Sequence, residues 1–140
     1  MKKDLAHAEL TERLLGAAIA VHKELGPGFL EKIYEHALCI ELDREGLPYQ
    51  RRIPIFYRGK PCGLHQLDLI VNNTVIIELK AAKNFQDAHF ATIMSYLKAS
   101  NMPVALLLNY AAPTLAIRRF GQQNVLNGEV TKPGNREDVN

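Results

Sequence analysis

The spacing of apolar residues changes along the chain, and this change restricts the fold more than any other feature. Up to residue 45 the apolar positions recur every three to four residues, which predicts amphipathic helices over Leu10–Leu25 and Leu30–Glu45. Beyond residue 52 the apolar residues form short β-rich runs, and one more helix is expected over Gln86–Ser100. Helices followed by strands, a helix and a strand indicate an α/β protein.

The predicted strands are short and differ in how they are buried. They are Ile53–Tyr57, Leu64–Val71, Thr74–Ala81, Val104–Leu108 and a short edge strand over Ala116–Phe120. Asn72-Asn73 separates the second and third runs, which is a hairpin signal. Since both runs are apolar on both faces near this turn, helices should cover them on both sides. We expect a mixed β-sheet of four to five strands flanked by helices, in which a helical crossover joins the hairpin to the next strand.

Length and composition favour one ordinary globular domain. The chain has 140 residues, and we assign residues 1–120 to the domain and the polar residues 121–140 to a loosely ordered tail. Seventeen Lys and Arg against fifteen Asp and Glu give a net charge of +2, so any phosphate binding must depend on local charge. No apolar run is long enough to span a membrane, and the N-terminus lacks a secretory signal. Cys39 and Cys62 are not in a CxxC spacing, which fits a reducing compartment, and we expect a cytoplasmic protein.

Three charged residues interrupt the apolar strand pair. Asp68 lies within one run, and Glu78 and Lys80 lie within the other. Buried charges are costly unless they are paired or bind a metal. Glu78 and Lys80 are two residues apart, so their side chains point to the same face of their strand. A site would require Asp68 to join them.

The turn between the two strands decides whether Asp68 reaches that face. A two-residue turn at Asn72-Asn73 would place Asp68 opposite Ile77 and direct Glu78 to the other face. A three-residue loop or a β-bulge would place Asp68 opposite Glu78. The sequence leaves both arrangements open.

Two carboxylates beside an ammonium suit the hydrolysis of a phosphodiester. Asp68 and Glu78 could hold Mg²⁺ or Mn²⁺ through hard oxygen ligands, with the backbone carbonyl of Leu79 as a further ligand. Such a metal activates a water and neutralises charge on the phosphate, while Lys80 steadies the water or the transition state. The alternative is an exposed hairpin with a cross-strand ion pair.

Several separated motifs resemble one family of nucleases. The strand–turn–strand with Asp68 and Glu78-Leu79-Lys80 is similar to the PD-(D/E)XK nuclease core, and Gly28–Tyr34 reads G-x-x-E-x-x-Y, the signature of the GxxExxY family of that superfamily. The remaining matching segments are Val21–Pro27, Tyr96-Leu97-Lys98, Leu107–Tyr110 and Arg118-Arg119. The resemblance covers about residues 10–120 and implies a restriction-endonuclease-like core.

The resemblance also implies roles for residues on two helices. Glu31 would face the Asp68, Glu78 and Lys80 cluster as an accessory acid, whereas dipole compensation in the first helical turn is the simpler explanation. His89 matches a family histidine and could contact phosphate, although a satisfied helix histidine is equally compatible. Thr92 occupies the position of a family glutamine, and its hydroxyl is too short to span the same distance.

These observations predict a Mg²⁺- or Mn²⁺-dependent nuclease that cuts nucleic acid, with DNA favoured over RNA and a homodimer considered. Glu31, Asp68, Glu78 and Lys80 would be catalytic. The expected contacts to nucleic acid are Lys83, His89, Lys98, Arg118 and Arg119, although strand alternation should direct only one of the two arginines inward. A nuclease-fold protein that binds nucleic acid or a protein partner without cutting is the second possibility, and a structural module is the third.

Overall fold

The computed structural model describes residues 7–64, 68–123 and 135–139, and the three predicted helices are present in it. They are α1 (Ala8–Leu25), α2 (Glu31–Glu45) and α3 (Asp87–Ser100), and each begins within two residues of its predicted start. Gly46 ends α2 in the left-handed conformation with φ of 72°, which glycine adopts without strain. The apolar periodicity and the glycine residues that end the helices therefore predict the three helices correctly.

The strands form two separate sheets. They are β1 (Tyr49–Gln50), β2 (Pro54–Tyr57), β3 (Lys60–Leu64), β4 (Leu69–Val71), β5 (Val75–Lys80), β6 (Val104–Asn109), β7 (Leu115–Gly121) and β8 (Asn135–Val139). Six of them form the main sheet in the order β1-β4-β5-β6-β7-β8, and β2 and β3 form a hairpin of their own. Only the β5–β6 pair of the main sheet is parallel, because α3 connects these two strands as a crossover. The predicted mixed α/β fold is confirmed.

Alternating residues of the central strands fill two apolar layers. Val75, Ile77 and Leu79 of β5 pack on the side of α1 and α2. Ile76 of the same strand packs with Ile93 and other apolar residues of α3 on the opposite side. Both faces are buried, as the continuous apolar runs predict. Glu78 and Lys80 follow Ile76 at steps of two, so they belong to the α3 face.

The structure corrects two predictions about strands. Leu64–Val71 is not one strand, because β3 ends at Leu64 in the hairpin and β4 begins at Leu69 in the main sheet; residues 65–67 lie outside the described residues. The predicted edge strand Ala116–Phe120 is not at the edge, since β8 pairs with it on its outer side. The sequence of β8, Asn-Arg-Glu-Asp-Val, has no apolar alternation to mark it. The rest of the predicted tail, residues 124–134 and 140, lies outside the described residues.

The turn between α1 and α2 is held by Tyr34, which is fully buried. Its hydroxyl donates to the Gly26 carbonyl and accepts from the Phe29 amide, and its ring stacks on Tyr110 at 4.4 Å. These contacts fix the start of α2, and with it Glu31, against the end of β6. Among the described residues, no helix is long and apolar enough to cross a membrane.

Candidate active site

The hairpin loop between β4 and β5 has three residues, Asn72 to Thr74. Leu69 pairs with Ile77 and Val71 with Val75, which is the register of a three-residue loop. Asn72 and Asn73 adopt φ of 52° and 51°, a left-handed conformation that asparagine tolerates better than most residues. In this register Asp68 lies opposite Glu78, and the condition for an acidic cluster is met.

Asp68, Glu78 and Lys80 meet on the α3 face at the carboxyl end of β5. Asp68 Oδ2 accepts a hydrogen bond of 2.7 Å from the Leu79 amide, and its negative charge acts on Glu78. Lys80 Nζ lies 3.1 Å from Glu78 Oε2. The carboxylate of Glu78 is buried, whereas a quarter of the Lys80 side chain is exposed. The ammonium therefore lies between the buried acids and solvent.

Burial and mutual repulsion make both acids reluctant to ionise. Burial, followed by the charge of Asp68, raises the pKa of Glu78 from 4.5 to about 8. Burial also raises the pKa of Asp68 to about 6, and the nearby carboxylates of Glu35 and Glu31 add to the shift. Burial would lower the pKa of Lys80, but the surrounding acids outweigh it and the pKa is raised. An additional cation at this site would relieve the repulsion between the acids.

Glu31 lies next to this cluster, as predicted from the resemblance. Its Oε2 accepts a hydrogen bond of 3.1 Å from the amide of Ala81, which directly follows β5. Its charge acts on both Asp68 and Lys80. Glu31 thus contributes negative charge to the site and holds the first residue of the β5–α3 loop.

Asn109 holds the next residue of that loop, and the sequence analysis gave it no role. It is buried, its Oδ1 accepts from the Ala82 amide, and its Nδ2 donates to the Ala82 carbonyl at 2.7 Å. A polar residue at the end of the apolar strand β6 was the available signal. Asn109 and Glu31 together fix the chain just beyond Lys80.

Glu35 is a second residue whose importance the sequence analysis missed. It is 5% exposed and forms an ion pair with Arg51, whose Nε and NH2 both lie 2.9 Å from Glu35 Oε2. Its position one turn after Glu31 was the only sequence signal. Because its charge reaches Asp68, Glu35 adds negative charge to the surroundings of the site and helps to raise the pKa of Asp68.

The first turn of α3 also faces the cluster through His89. Its Nδ1 accepts a hydrogen bond from the Gln86 amide, which caps the helix and leaves Nε2 to carry the ring proton in the neutral form. Burial and then the charge of Lys80 lower the pKa of His89. The hydroxyl of Thr92 donates to the Ala88 carbonyl of its own helix at 3.0 Å. His89 is therefore an N–H donor beside the site.

The other predicted basic contacts divide into near and distant residues. Arg118 pairs with Leu107, which pairs with Glu78, so these residues form one row across the sheet. Two strand spacings put Arg118 about 10 Å from Glu78 on the α3 face. The guanidinium of Arg118 lies 4.7 Å from the ring centroid of Phe85 in the β5–α3 loop, where Lys83 also lies.

Strand alternation puts Arg119 on the opposite face from Arg118, as expected for one of the two arginines. Lys98 lies nine residues after His89 on α3, which corresponds to about 13 Å along the helix. The structure therefore brings Lys83, His89 and Arg118 toward the cluster but not Lys98 and Arg119.

The donor set fits a hard divalent cation bound by two carboxylates and a backbone carbonyl. Glu78 Oε1 is buried and has no hydrogen-bond partner among the described residues. The Leu79 amide points to Asp68, and in an extended strand the carbonyl of the same residue points to the same side. The Lys80 carbonyl points the other way, toward the Tyr110 amide. No group of three or more His, Cys, Asp and Glu side chains that could hold a metal occurs in the described part of the chain.

The comparison with family models identifies the class of protein. Residues 8–120 match the model of the PD-(D/E)XK nuclease superfamily. The match covers most of the chain and includes Glu31, Asp68, Glu78 and Lys80. This protein therefore belongs to the PD-(D/E)XK nuclease superfamily. Searches of curated proteins and of solved structures gave no match.

Proposed function

We propose that this protein is a metal-dependent nuclease that hydrolyses phosphodiester bonds of nucleic acid. Membership in the superfamily suggests nuclease activity, and the observation that carries the proposal is the joint placement of Asp68, Glu78 and Lys80. A hairpin that only needed an ion pair would not require a second, partly buried acid with a raised pKa. The lysine beside the acids favours cutting over binding alone.

Asp68, Glu78 and the Leu79 carbonyl would hold Mg²⁺ or Mn²⁺, both of which prefer oxygen ligands. When bound, the ion supplies charge neutralisation at the phosphate and makes a water acidic enough to attack. Lys80 projects between the acids and solvent, where its ammonium can orient that water or stabilise negative charge on the phosphate. Glu31 keeps the chain beyond Lys80 in place through the Ala81 amide.

Lys83, His89 and Arg118 are proposed to contact phosphates on the α3 face. The Nε2 proton of His89 and the guanidinium of Arg118 are both suited to phosphate oxygens. Lys98 and Arg119 stay as predictions for more distant contacts. The GxxExxY assignment, the preference for DNA, the homodimer and the cytoplasmic location also stay predictions.

The test is a cleavage assay on single- and double-stranded DNA and RNA with Mg²⁺ or Mn²⁺. We expect metal-dependent cutting by the wild type, abolished by a chelator, and a loss on the order of a hundredfold or more for Lys80→Ala. Arg44→Ala is the matched control, because Arg44 is an exposed cation about 20 Å along α2 from Glu31.

Equal cutting by the wild type and Lys80→Ala would contradict the assigned chemistry. Nucleic-acid binding without any metal-dependent cutting would instead favour the non-catalytic alternative. Unchanged cutting by Arg44→Ala would show that the loss in Lys80→Ala is not the effect of removing any surface cation.

A further inference from the structure

The β2–β3 hairpin stands apart from the main sheet and carries two exposed aromatic rings. Phe56 is 60% exposed and Tyr57 is 65% exposed. The turn residues Arg58 and Gly59 have φ of 52° and 77°, which is the geometry of a tight two-residue hairpin turn. Large apolar side chains at a hairpin tip lose the benefit of burial, so their exposure requires a reason other than stability.

The same hairpin belongs to the most basic part of the chain. No acidic residue occurs between Glu45 and Asp68, whereas Arg51, Arg52, Arg58 and Lys60 lie in this interval. The rest of the chain has thirteen Lys and Arg against fifteen Asp and Glu. The positive net charge of the protein therefore comes from this segment, which favours an anionic partner.

Aromatic and basic groups are joined at the tip. The guanidinium carbon of Arg58 lies 5.4 Å from the centroid of the Tyr57 ring, and Arg58 Nε donates to the Tyr57 hydroxyl at 3.2 Å. Arg58 thus covers one face of Tyr57 and presents its charge beside the rings. Phe56 follows a β-bulge and pairs with Pro61 at the middle of the hairpin.

The base of the hairpin places it on the face of the sheet to which the acidic cluster points. Ile53 packs in the α3-side apolar layer with Ile70 and Ile76, and Ile55 packs against the same layer. Asp68 and Glu78 each lie two residues from Ile70 and Ile76, so they point to this face as well. Phe56 lies beside Ala99 and Met102 at the C-terminal end of α3, and the cluster lies beside His89 in its first turn, so a ligand on this face would need to span about 20 Å to contact both.

We propose that the β2–β3 hairpin binds single-stranded nucleic acid, with Phe56 stacking on an unpaired base and with Arg58 and Lys60 contacting phosphates. Exposed aromatic rings beside cations are the chemistry by which proteins hold single strands, since each base offers a flat face. In a duplex those faces are stacked on one another. The inference rests on the proposed function and names its substrate class: single strands or unpaired regions.

Phe56→Trp provides a direct test, because the chain contains no tryptophan and the new side chain is a unique fluorophore. Wild-type and variant proteins are titrated in EDTA, which prevents cutting, with an oligothymidylate and with an abasic oligomer of equal length. We expect tryptophan quenching by the oligothymidylate and little by the abasic oligomer. Anisotropy measurements should show that Phe56→Ala weakens oligothymidylate binding on the order of tenfold.

Two controls separate stacking from general surface effects. Ile40→Ala removes an apolar side chain that is 61% exposed on α2, across the sheet from the hairpin, and should leave binding unchanged. Arg58→Ala should flatten the slope of log K against log salt by about 0.7, whereas Arg44→Ala should not. Each substitution replaces an exposed side chain, so we expect an unchanged melting temperature.

Equal affinity for the abasic oligomer, or tighter binding of a duplex of the same length, would overturn the proposal. The proposal would also be overturned if the protein bound none of these oligomers, and a search for a protein partner would then be the next step. Lys80→Ala should still show quenching when combined with Phe56→Trp. In the Phe56→Trp protein that keeps Lys80, quenching in EDTA without any metal-dependent cutting would keep the hairpin proposal and reject the nuclease, while cutting without quenching would do the reverse.

Discussion

Asp68 and Glu78 are acids whose surroundings disfavour their charged forms. Their carboxyl groups are near enough for charge repulsion, are largely withdrawn from water, and lie near further acids on α2. Such an arrangement costs stability in the folded protein unless a cation balances it. We interpret this loss of stability as a consequence of forming a metal-binding site, because the same groups would supply the oxygen ligands for a divalent ion.

Asp68→Asn separates ligand chemistry from nucleic-acid binding. The amide oxygen can still accept from the Leu79 amide, so the hairpin should keep its geometry. We expect metal-dependent cutting to be abolished while binding in EDTA is kept or becomes tighter, because one repelling charge is removed. Cleavage and anisotropy measured on the same variant would check this. Intact cutting would mean that Asp68 is not the ligand.

The stability of the metal-free protein should fall as pH rises. The pKa of Glu78 is raised from 4.5 to about 8 in the folded state, so unfolding releases a proton between these pH values. The contribution of the protonated Glu78 carboxyl to the free energy of unfolding is therefore complete below about pH 4.5 and is lost as the pH rises through 8. Melting temperatures in EDTA from pH 5 to 8 should show this fall, and Glu78→Gln should reduce it. A wild-type curve that rises over this interval would contradict the assigned environment.

At the scale of elements, an ion pair joins α2 to the segment that leads into the hairpin. Arg51 is partly exposed, but Glu35 is buried near Asp68 and, if Arg51 were removed, would keep only the longer ion pair of 3.6 Å with the exposed Lys32. We expect Arg51→Ala to lower the free energy of unfolding by about 2 kcal/mol. The double variant Glu35→Gln with Arg51→Ala should recover part of this loss in urea denaturation. A loss in the double variant equal to the sum of the losses in the two single variants would show that the pair is not coupled.

The helices could be predicted from the sequence, whereas the register of the hairpin could not. Apolar spacing and the glycine stops determine α1, α2 and α3 locally. Whether Asp68 faces Glu78 depends on one residue of loop length, because a shift of one residue turns every side chain to the other face. Asn72 and Asn73 suit either loop, and the structure shows that Thr74 belongs to it.

Tertiary contacts explain what the sequence analysis missed. Glu35 and Asn109 have polar side chains whose roles depend on partners distant in sequence, Arg51 and Ala82. The strand β8 is polar, so nothing in its pattern indicates that it pairs with β7. Glu31 was predicted from the resemblance to a nuclease family, whereas compensation of the helix dipole was the simpler local explanation.

At the scale of the whole molecule, positive and negative charge are separated in sequence and meet on one face of the sheet. The basic hairpin and the acidic cluster both lie on the α3 side, with Arg118 in the same row as Glu78. A polyanion could contact the basic groups while its phosphate reaches the cluster. The net charge of +2 is therefore a poor guide to the partner, because the distribution of charge matters more than the total.

Metal binding should stabilise the folded chain as a whole. The ligands are Asp68, directly before β4, and residues of β5; these strands are paired only after folding, so the ion binds the native state in preference to the unfolded chain. At a hundredfold excess over Kd, Mg²⁺ or Mn²⁺ should add about 2.7 kcal/mol to the free energy of unfolding. The gain should be larger at pH 8 than at pH 5, since protons compete for Glu78 and Asp68. Melting temperatures with and without the ion would measure it, and Asp68→Asn combined with Glu78→Gln should show no gain. A wild-type melting temperature that does not respond to millimolar Mg²⁺ or Mn²⁺ would argue against a site formed before substrate binds.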